Sequence, residues 1–274
     1  MIPASFGGLL KDLRIRKNLT QQDVAYALGW TEPSRLSRIE QGTTHKPTRE
    51  TVDKLMQVLQ LNDSEQGQLL LAGGYIPTSE EIHKIQRLID PFISQWKYPI
   101  YVYDFSWRIV YLNEMAQKVL HHYRVLNESS KDSPKHILEI LFHPDYPPHK
   151  FLHRLEKQEF HDMLLRTLIQ FVHAQKERTR EQWYSSLIGT LIKNSLFRTL
   201  WQEAKKHELL NKDISYADIA NYDREIIIHP EDTKKRLQFH FLMVPIIQDP
   251  RFIIEFYFPL DEVTFHYFKN SQKE

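Results

Sequence analysis

Apolar positions recur every three to four residues through the first 75 positions, and after about position 98 the pattern changes character. Leu9, Leu10, Leu13 and Ile15 predict an amphipathic helix ending near Asn18. Thr20 followed by Asp23 reads as a capping box, opening a second helix with Val24, Ala25 and Leu28 inward. Gly29 then stops it in the manner of a left-handed cap. Pro33 suits the first turn of a third helix, where Leu36 and Ile39 lie three apart and face the core. Gly42 closes that helix. Pro47 and Thr48 open a fourth over Val52, Leu55, Met56 and Leu59, and a fifth starting at Ser64 carries Leu69, Leu70 and Leu71 up to Gly73 and Gly74.

A helical stretch follows, with Ile82, Ile85, Leu88, Ile89 and Phe92 on one side and Pro91 weakening or kinking it. Beyond it the period falls to two. Ile100 to Tyr103 and Arg108 to Leu112 read as strands around an Asp104-Phe105-Ser106 turn, and Asn113 caps a helix with Met115, Ala116, Val119 and Leu120. Residues 133–210 are helical and rich in Leu, Phe and Trp. The last β runs are Ile226 to Ile228, Leu237 to Ile247 and Phe252 to Pro259; Pro245 and the Asp249-Pro250 turn pair the last two as a hairpin. Phe239, Phe241, Phe252, Phe256 and Phe258 alternate with Leu242, Val244 and Ile254, so this sheet is expected to be covered on both faces.

Composition narrows the class. The 274 residues are 41% hydrophobic, 26% charged and 12% aromatic, which describes an ordinary globular protein with room for two domains. Without cysteine, disulfides, thiolate metal sites and a cysteine nucleophile are excluded. The first residues, MIPASFGGLLKDLRIRKN, carry charge where a signal peptide needs its apolar core, and no run approaches the length of a membrane span. A cytoplasmic protein with no membrane partner is expected. The net charge of +1 hides an asymmetry: residues 1–49 hold eight basic and four acidic side chains, whereas 50–75 hold one basic and four acidic. A small module polarised in this way suits a polyanion partner.

Two short helices joined by a glycine turn, within a five-helix bundle, form a helix-turn-helix arrangement, whose second helix enters the major groove. LTQQDVAYALG followed by SRLSRIEQG resembles the xenobiotic-response-element (phage-repressor-like) helix-turn-helix family over about residues 7–72, with Gln21, Ala25, Gly29, Leu36, Ile39, Glu40 and Gly42 in pattern. The spacing from Gly29 to Leu36 is one residue longer than the commonest form, which leaves open which of Glu32, Ser34 and Arg35 reaches the bases. The resemblance implies that Ser34, Arg35 and Arg38 face base edges. It also implies that Gln21, Thr43, Thr44 and Lys46 hold phosphates of a double-stranded operator. Arginine suits base reading because its fork grips guanine O6 and N7 together. The alternative is that Arg35 and Arg38 merely solvate a helix.

A hairpin entering a helix through an asparagine is how PAS-type sensor domains begin. PIYVYDFSWRIVYLN, HILEILF and NSLFRTLWQEA resemble the MmyB-type ligand-binding domain, a PAS-like sensor found behind this kind of helix-turn-helix in bacterial regulators. The resemblance covers about residues 80–260 and is strongest at Pro99, Trp107, Asn113, Ser195, Phe197 and Trp201; residues 212–236, with Tyr216 and Tyr222, depart from it. It implies a chamber for an apolar, fatty-acid-like ligand, walled by some of Phe197, Trp201, Phe239, Phe241, Phe256 and Phe258. Tyr101, Tyr103 and Arg108 are the polar groups nearest such a chamber that could hold a carboxylate head. Alternating aromatics also suit a plain core.

An enzyme has little support. His121, His122, His143, His149, His153 and His161 crowd one region, but no HExxH, carboxylate-anchored triplet or nucleophile elbow accompanies them. The expectation is therefore two domains and no catalysis, metal or cofactor. Residues 1–75 would be an all-α helix-turn-helix bundle, 76–97 a helical linker, and 98–270 an α+β PAS-like domain with an antiparallel sheet. The whole would be a homodimeric, nucleoid-associated bacterial regulator. The rival expectation is a DNA-binding adaptor whose second domain holds a protein partner and no ligand.

Overall fold

The computed structural model describes residues 5–44, 46–119, 135–142, 157–207, 225–228 and 236–270. Five helices open the chain: α1 (Phe6–Arg16), α2 (Gln21–Ala27), α3 (Ser34–Glu40), α4 (Arg49–Val58) and α5 (Asp63–Ala72). The local chemistry explains their starts. Ser5, Thr20, Thr48 and Asn62 each accept a backbone N–H of the first turn, and Thr20 with Asp23 and Asn62 with Glu65 complete reciprocal capping boxes. Gly29 has φ +72°, the left-handed cap conformation, so the chain turns sharply out of α2. Leu10, Leu13, Val24, Leu36, Ile39, Val52, Leu55, Leu59 and Leu69 form one buried core. Ile15, expected on the inner face of α1, is 53% exposed, because a residue two positions past Leu13 falls on the other side of the helix from the buried Leu10 and Leu13.

Gly7 explains how closely α1 approaches α3. A methyl group there would collide with the backbone carbonyls of Ile39 and Glu40. Beside this contact Arg14 Nε and Nη2 donate to the Glu40 carboxylate at 2.6 and 3.0 Å, and the Gln21 amide donates to the same group at 2.8 Å. The pair ties α1, α2 and α3 together, and the carboxylate raises the Arg14 pKa.

The chain divides into two compact units, and the division does not follow the expected boundaries at 75 and 97. The first is Met1–Glu81 together with Pro245–Ile253, and the second is Ile82–Val244 with Ile254–Glu274. The expected linker is largely a helix, α6 (Ser79–Ile93), whose start belongs to the first unit. Its Ile82, Ile85, Ile89 and Ile93 are buried in the second, whereas Leu88 and Phe92 stay exposed.

In the second unit β1 (Ile100–Asp104) and β2 (Ile109–Leu112) form an antiparallel hairpin, followed by α7 (Glu114–Val119). Asn113 Oδ1 accepts both the Ile100 and Ala116 amides, at 3.0 and 2.9 Å, so one side chain fixes strand and helix start. Among the described residues the helices α8 (Ile137–Leu141), α9 (Lys157–Ala174), α10 (Gln182–Leu191) and α11 (Ser195–Ala204) precede β3 (Glu225–Ile228), β4 (Leu237–Pro245), β5 (Phe252–Pro259) and α12 (Glu262–Asn270). The sheet order is β2-β1-β5-β4-β3. β3 pairs antiparallel with β4, which supplies a pairing for residues 225–228 of the 212–236 stretch; Tyr216 and Tyr222 lie outside the described residues.

The expectation of a sheet covered on both faces is corrected. Leu242 is 52% exposed, and Val244 and Phe258 on the same face are exposed as well. Trp96 covers only part of that face, packing edge-on against Phe256 and Phe258 at centroid distances of 5.5 and 5.9 Å.

Candidate nucleic-acid interface and sensor core

In the first unit α3 is anchored by what it buries. Leu36 and Ile39 enter the core, and Glu40 is locked by Arg14 and Gln21. Ser34, Arg35 and Arg38 consequently stand on the exposed side of α3. Arg38 Nε reaches back to the Ser34 carbonyl at 3.4 Å, and Ser34 Oγ donates to Glu32 at 3.2 Å. The Arg35 guanidinium lies 4.4 Å from the Trp30 ring centroid, within cation–π distance. Trp30, in the longer turn after Gly29, is thus the ring that Arg35 meets, a contact that the sequence pattern alone did not indicate.

The residues expected at phosphates are placed less uniformly. Thr43 and Thr44 are exposed after α3, with Thr43 Oγ1 donating to the Arg38 carbonyl at 3.3 Å. Lys46 Nζ donates to the Gly74 carbonyl at 3.2 Å and sits 4.4 Å over the Tyr75 ring. Gln21 is half-buried, with its amide on Glu40. Lys46 and Gln21 therefore have structural partners within the unit besides any phosphate.

The first unit also contains a buried polar cluster that sequence reading missed. Arg251 is 1% exposed, yet it belongs to the loop between β4 and β5. Its guanidinium lies 2.7 Å from Asp249 Oδ2 and 2.8 Å from Glu81 Oε1, and it donates to the Tyr75 carbonyl at 3.3 Å. Arg49 reaches Glu81 from α4 at 2.7 Å. Burial alone would raise the Glu81 pKa, but hydrogen bonds and charge from the two arginines bring it down to about 2. The only sequence signal was the Asp249-Pro250 turn, which predicted a hairpin and not what its tip would meet.

The aromatic residues expected to wall a chamber in the second unit are separated into three groups. Phe239 and Phe241 share a sheet face with Tyr101 and Tyr257, the Tyr101 and Tyr257 rings being 5.0 Å apart. Phe256 and Phe258 point to the opposite face with Trp96, since neighbours along a strand alternate. Phe197 and Trp201 stack at 5.4 Å on α11, packing with Phe142 and Phe171 of the helical layer. One chamber wall cannot include both Phe241 and Phe256 side chains of this sheet. The first group is the one that also carries polar atoms.

Hydrogen bonds from Ile246 to Phe252 and from Leu260 to Gln238 set the β4–β5 register, so Met243 faces Glu255 and Phe241 faces Tyr257. Tyr257 Oη donates to Glu255 Oε1 at 2.6 Å, Tyr103 also hydrogen-bonds that carboxyl, and Tyr103 Oη lies 2.9 Å from Met243 Sδ. Burial pushes the Glu255 pKa above its ordinary range, against the opposing pull of the two hydroxyls. Arg108 is placed elsewhere. Its guanidinium is held 2.7 Å from the buried Asp104, which also caps the turn by accepting from Ser106 and the Arg108 amide. The structure thus separates Arg108 from Tyr101 and Tyr103 in role.

In that turn Trp107 has φ +72°, an uncommon conformation for a bulky residue. Its ring is fixed against Phe171 at 5.2 Å, and His136 packs edge-on to the same ring at 5.4 Å. His136 Nδ1 accepts the Leu138 amide at 3.1 Å, and burial lowers the His136 pKa to about 3, keeping the ring neutral.

Among the described residues no group of three His, Cys, Asp or Glu side chains is arranged to hold a metal ion. Of the histidines noted in the sequence, His161 lies beside Asp162 and Glu203, and His121, His122, His143, His149 and His153 fall outside the described residues. No described helix is long and apolar enough to cross a membrane.

Residues 5–69 match the family model described as a helix-turn-helix domain. No curated protein matches the chain. The matched span is α1 through most of α5, and it includes the whole exposed face of α3. A helix-turn-helix domain of this kind supports DNA binding and a role as a DNA-binding regulator.

Proposed function

We propose that this protein is a sequence-specific, xenobiotic-response-element-type transcriptional regulator whose second, PAS-like (MmyB-like) domain senses a small apolar ligand and thereby adjusts operator binding. The observation that carries the DNA reading is the exposed set Ser34, Arg35 and Arg38 on a helix whose opposite side is buried, inside a span matching a helix-turn-helix domain. A short recognition helix covers few base pairs, so the protein acts as a homodimer on a two-fold operator. Exposed Leu88 and Phe92 on α6, the latter 77% exposed, support a two-fold contact there. No catalytic step is assigned to it.

The β1–β2 hairpin that leads into α7 through Asn113 supports the PAS-like reading. The aromatic face of the sheet around Tyr101, Phe241 and Tyr257 supports a sensing site. A second reading is favoured by the exposed Leu242, Val244 and Phe258 on the other face: an adaptor that binds a protein partner and no ligand. One experiment separates them. The purified protein is denatured and the released small molecules are identified by mass spectrometry. A recurrent stoichiometric compound supports the sensor, and its absence supports the adaptor. For DNA, binding-site selection with the full chain should return a two-fold sequence; enrichment of no sequence overturns the regulator reading.

A further inference from the structure

Glu255 is, among the described residues, the one acidic side chain on the aromatic sheet face described above, half-buried beside Tyr257 and Tyr103 and opposite Met243. Among the described residues no lysine, arginine or histidine pairs with it. Tyr257 Oη donates to one carboxyl oxygen, and Tyr103, whose O–H is directed at Met243 Sδ, also interacts with the carboxyl, which keeps further lone-pair positions able to accept. Arg108, the cation expected to hold a carboxylate head, is bound to Asp104 instead. A ligand with a carboxylate at this point would meet a second carboxyl and ring faces of negative potential. A cation would meet the reverse: an acid to pair with and ring faces that attract positive charge.

We infer that Glu255, with the rings of Tyr101, Phe241 and Tyr257, forms the polar end of the sensing site, and that it takes an alkylammonium head carried on an apolar chain. The inference rests on the sensing role proposed above and changes the expected head group from anionic to cationic. Leu112 and Met115, partly buried against the same cluster, supply an apolar wall for the chain. The raised pKa of Glu255 agrees with this, since a carboxyl held in such surroundings gains from a cation that keeps it ionised. Read only as core, Glu255 would be an acid satisfied by its tyrosines, indifferent to any ligand.

The test compares three probes sharing one six-carbon chain, n-hexylammonium, 1-hexanol and hexanoate, by their effect on the melting temperature of the full chain. Hexylammonium should bind at least about tenfold tighter than hexanol, as expected for a charge pair supported by cation–π contact. Hexanoate should bind more weakly than hexanol. Glu255→Gln, which keeps the shape and an acceptor for the tyrosine hydroxyls, should bring hexylammonium to the level of hexanol. Phe241→Leu should reduce the preference partially. Equal binding of hexylammonium and hexanol, a preference for hexanoate, or a preference unchanged in Glu255→Gln overturns the inference. If no six-carbon probe of any charge shifts the wild-type protein, the sensing role itself falls. Operator selection, run in parallel, reports on the regulator reading independently of both.

Discussion

Arg251 Nη2 lies 2.8 Å from Glu81 Oε1, joining the loop after β4 to the first turn of α6, positions 170 residues apart in sequence. Arg49 and Asp249 complete the cluster. Both arginines are raised in pKa by their carboxylate partners despite burial, so the charges persist across the ordinary pH range. Removing one member leaves the others desolvated and unmatched. Arg251→Ala should therefore destabilise the first unit by ~3 kcal/mol. A fall in its denaturation midpoint in urea checks this, and a change under about 1 kcal/mol would show the cluster to be incidental.

Gly67 makes the same loop dependent on a missing side chain. A Cβ at this position would lie 2.8 Å from Asp249 Cα and 2.8 Å from Pro250 Cδ. Gly67→Ala should favour the α5 helix locally yet cost ~1–3 kcal/mol overall, because the loop must shift. Thermal unfolding of the full chain measures the net sign. Stabilisation would mean that the loop yields without resistance.

Acid should act in two windows. His136 is held at about 3 against an ordinary 6.5, mainly by burial, with the charge of Arg108 adding to the effect. The unfolded chain takes up this proton first, so the stability due to the neutral ring is complete above about 6.5 and is lost as pH falls toward 3. Glu81 is held at about 2 against 4.5, so its contribution is complete above about 4.5 and is lost as pH falls through 2. Melting temperature against pH should show both slopes. His136→Asn, which keeps a helix-capping acceptor, should remove the upper one; Glu81→Gln should remove the lower.

On DNA the two exposed arginines and Lys46 should behave differently. Arg38→Ala is expected to cost ~1–3 kcal/mol at the operator and relax preference at one base position. Trp30→Ala should weaken binding through Arg35, whose guanidinium loses the ring beneath it. Lys46→Ala should weaken all sequences alike and lower the salt slope by about one, together with some loss of stability from its Gly74 and Tyr75 contacts. Binding-site selection with each variant at two salt concentrations distinguishes them. Unchanged preference in Arg38→Ala would place the reading face elsewhere.

Read by itself, the chain determined what depends on neighbours within a few residues. The Thr20–Asp23 box, the Gly29 turn, the burial of Leu36 and Ile39 and hence the outward face of Arg35 and Arg38 all follow from spacing within one or two helices. The same holds for the Asn113 cap and for the strands at 100–104, 109–112, 237–245 and 252–259. The sequence alone groups Phe241 and Phe256 in one wall; only the β4–β5 register, a tertiary contact, puts them on opposite faces of the sheet. What tertiary structure decided were the contacts between distant segments. Nothing local to Pro245–Ile253 shows that this loop enters the first unit, because the partners Glu81, Tyr75 and Gly67 are set by where the chain returns. Likewise Glu255 is an unremarked acid in a strand until β1 brings Tyr103 beside it, and burial, a property of the assembled sheet, then raises its pKa.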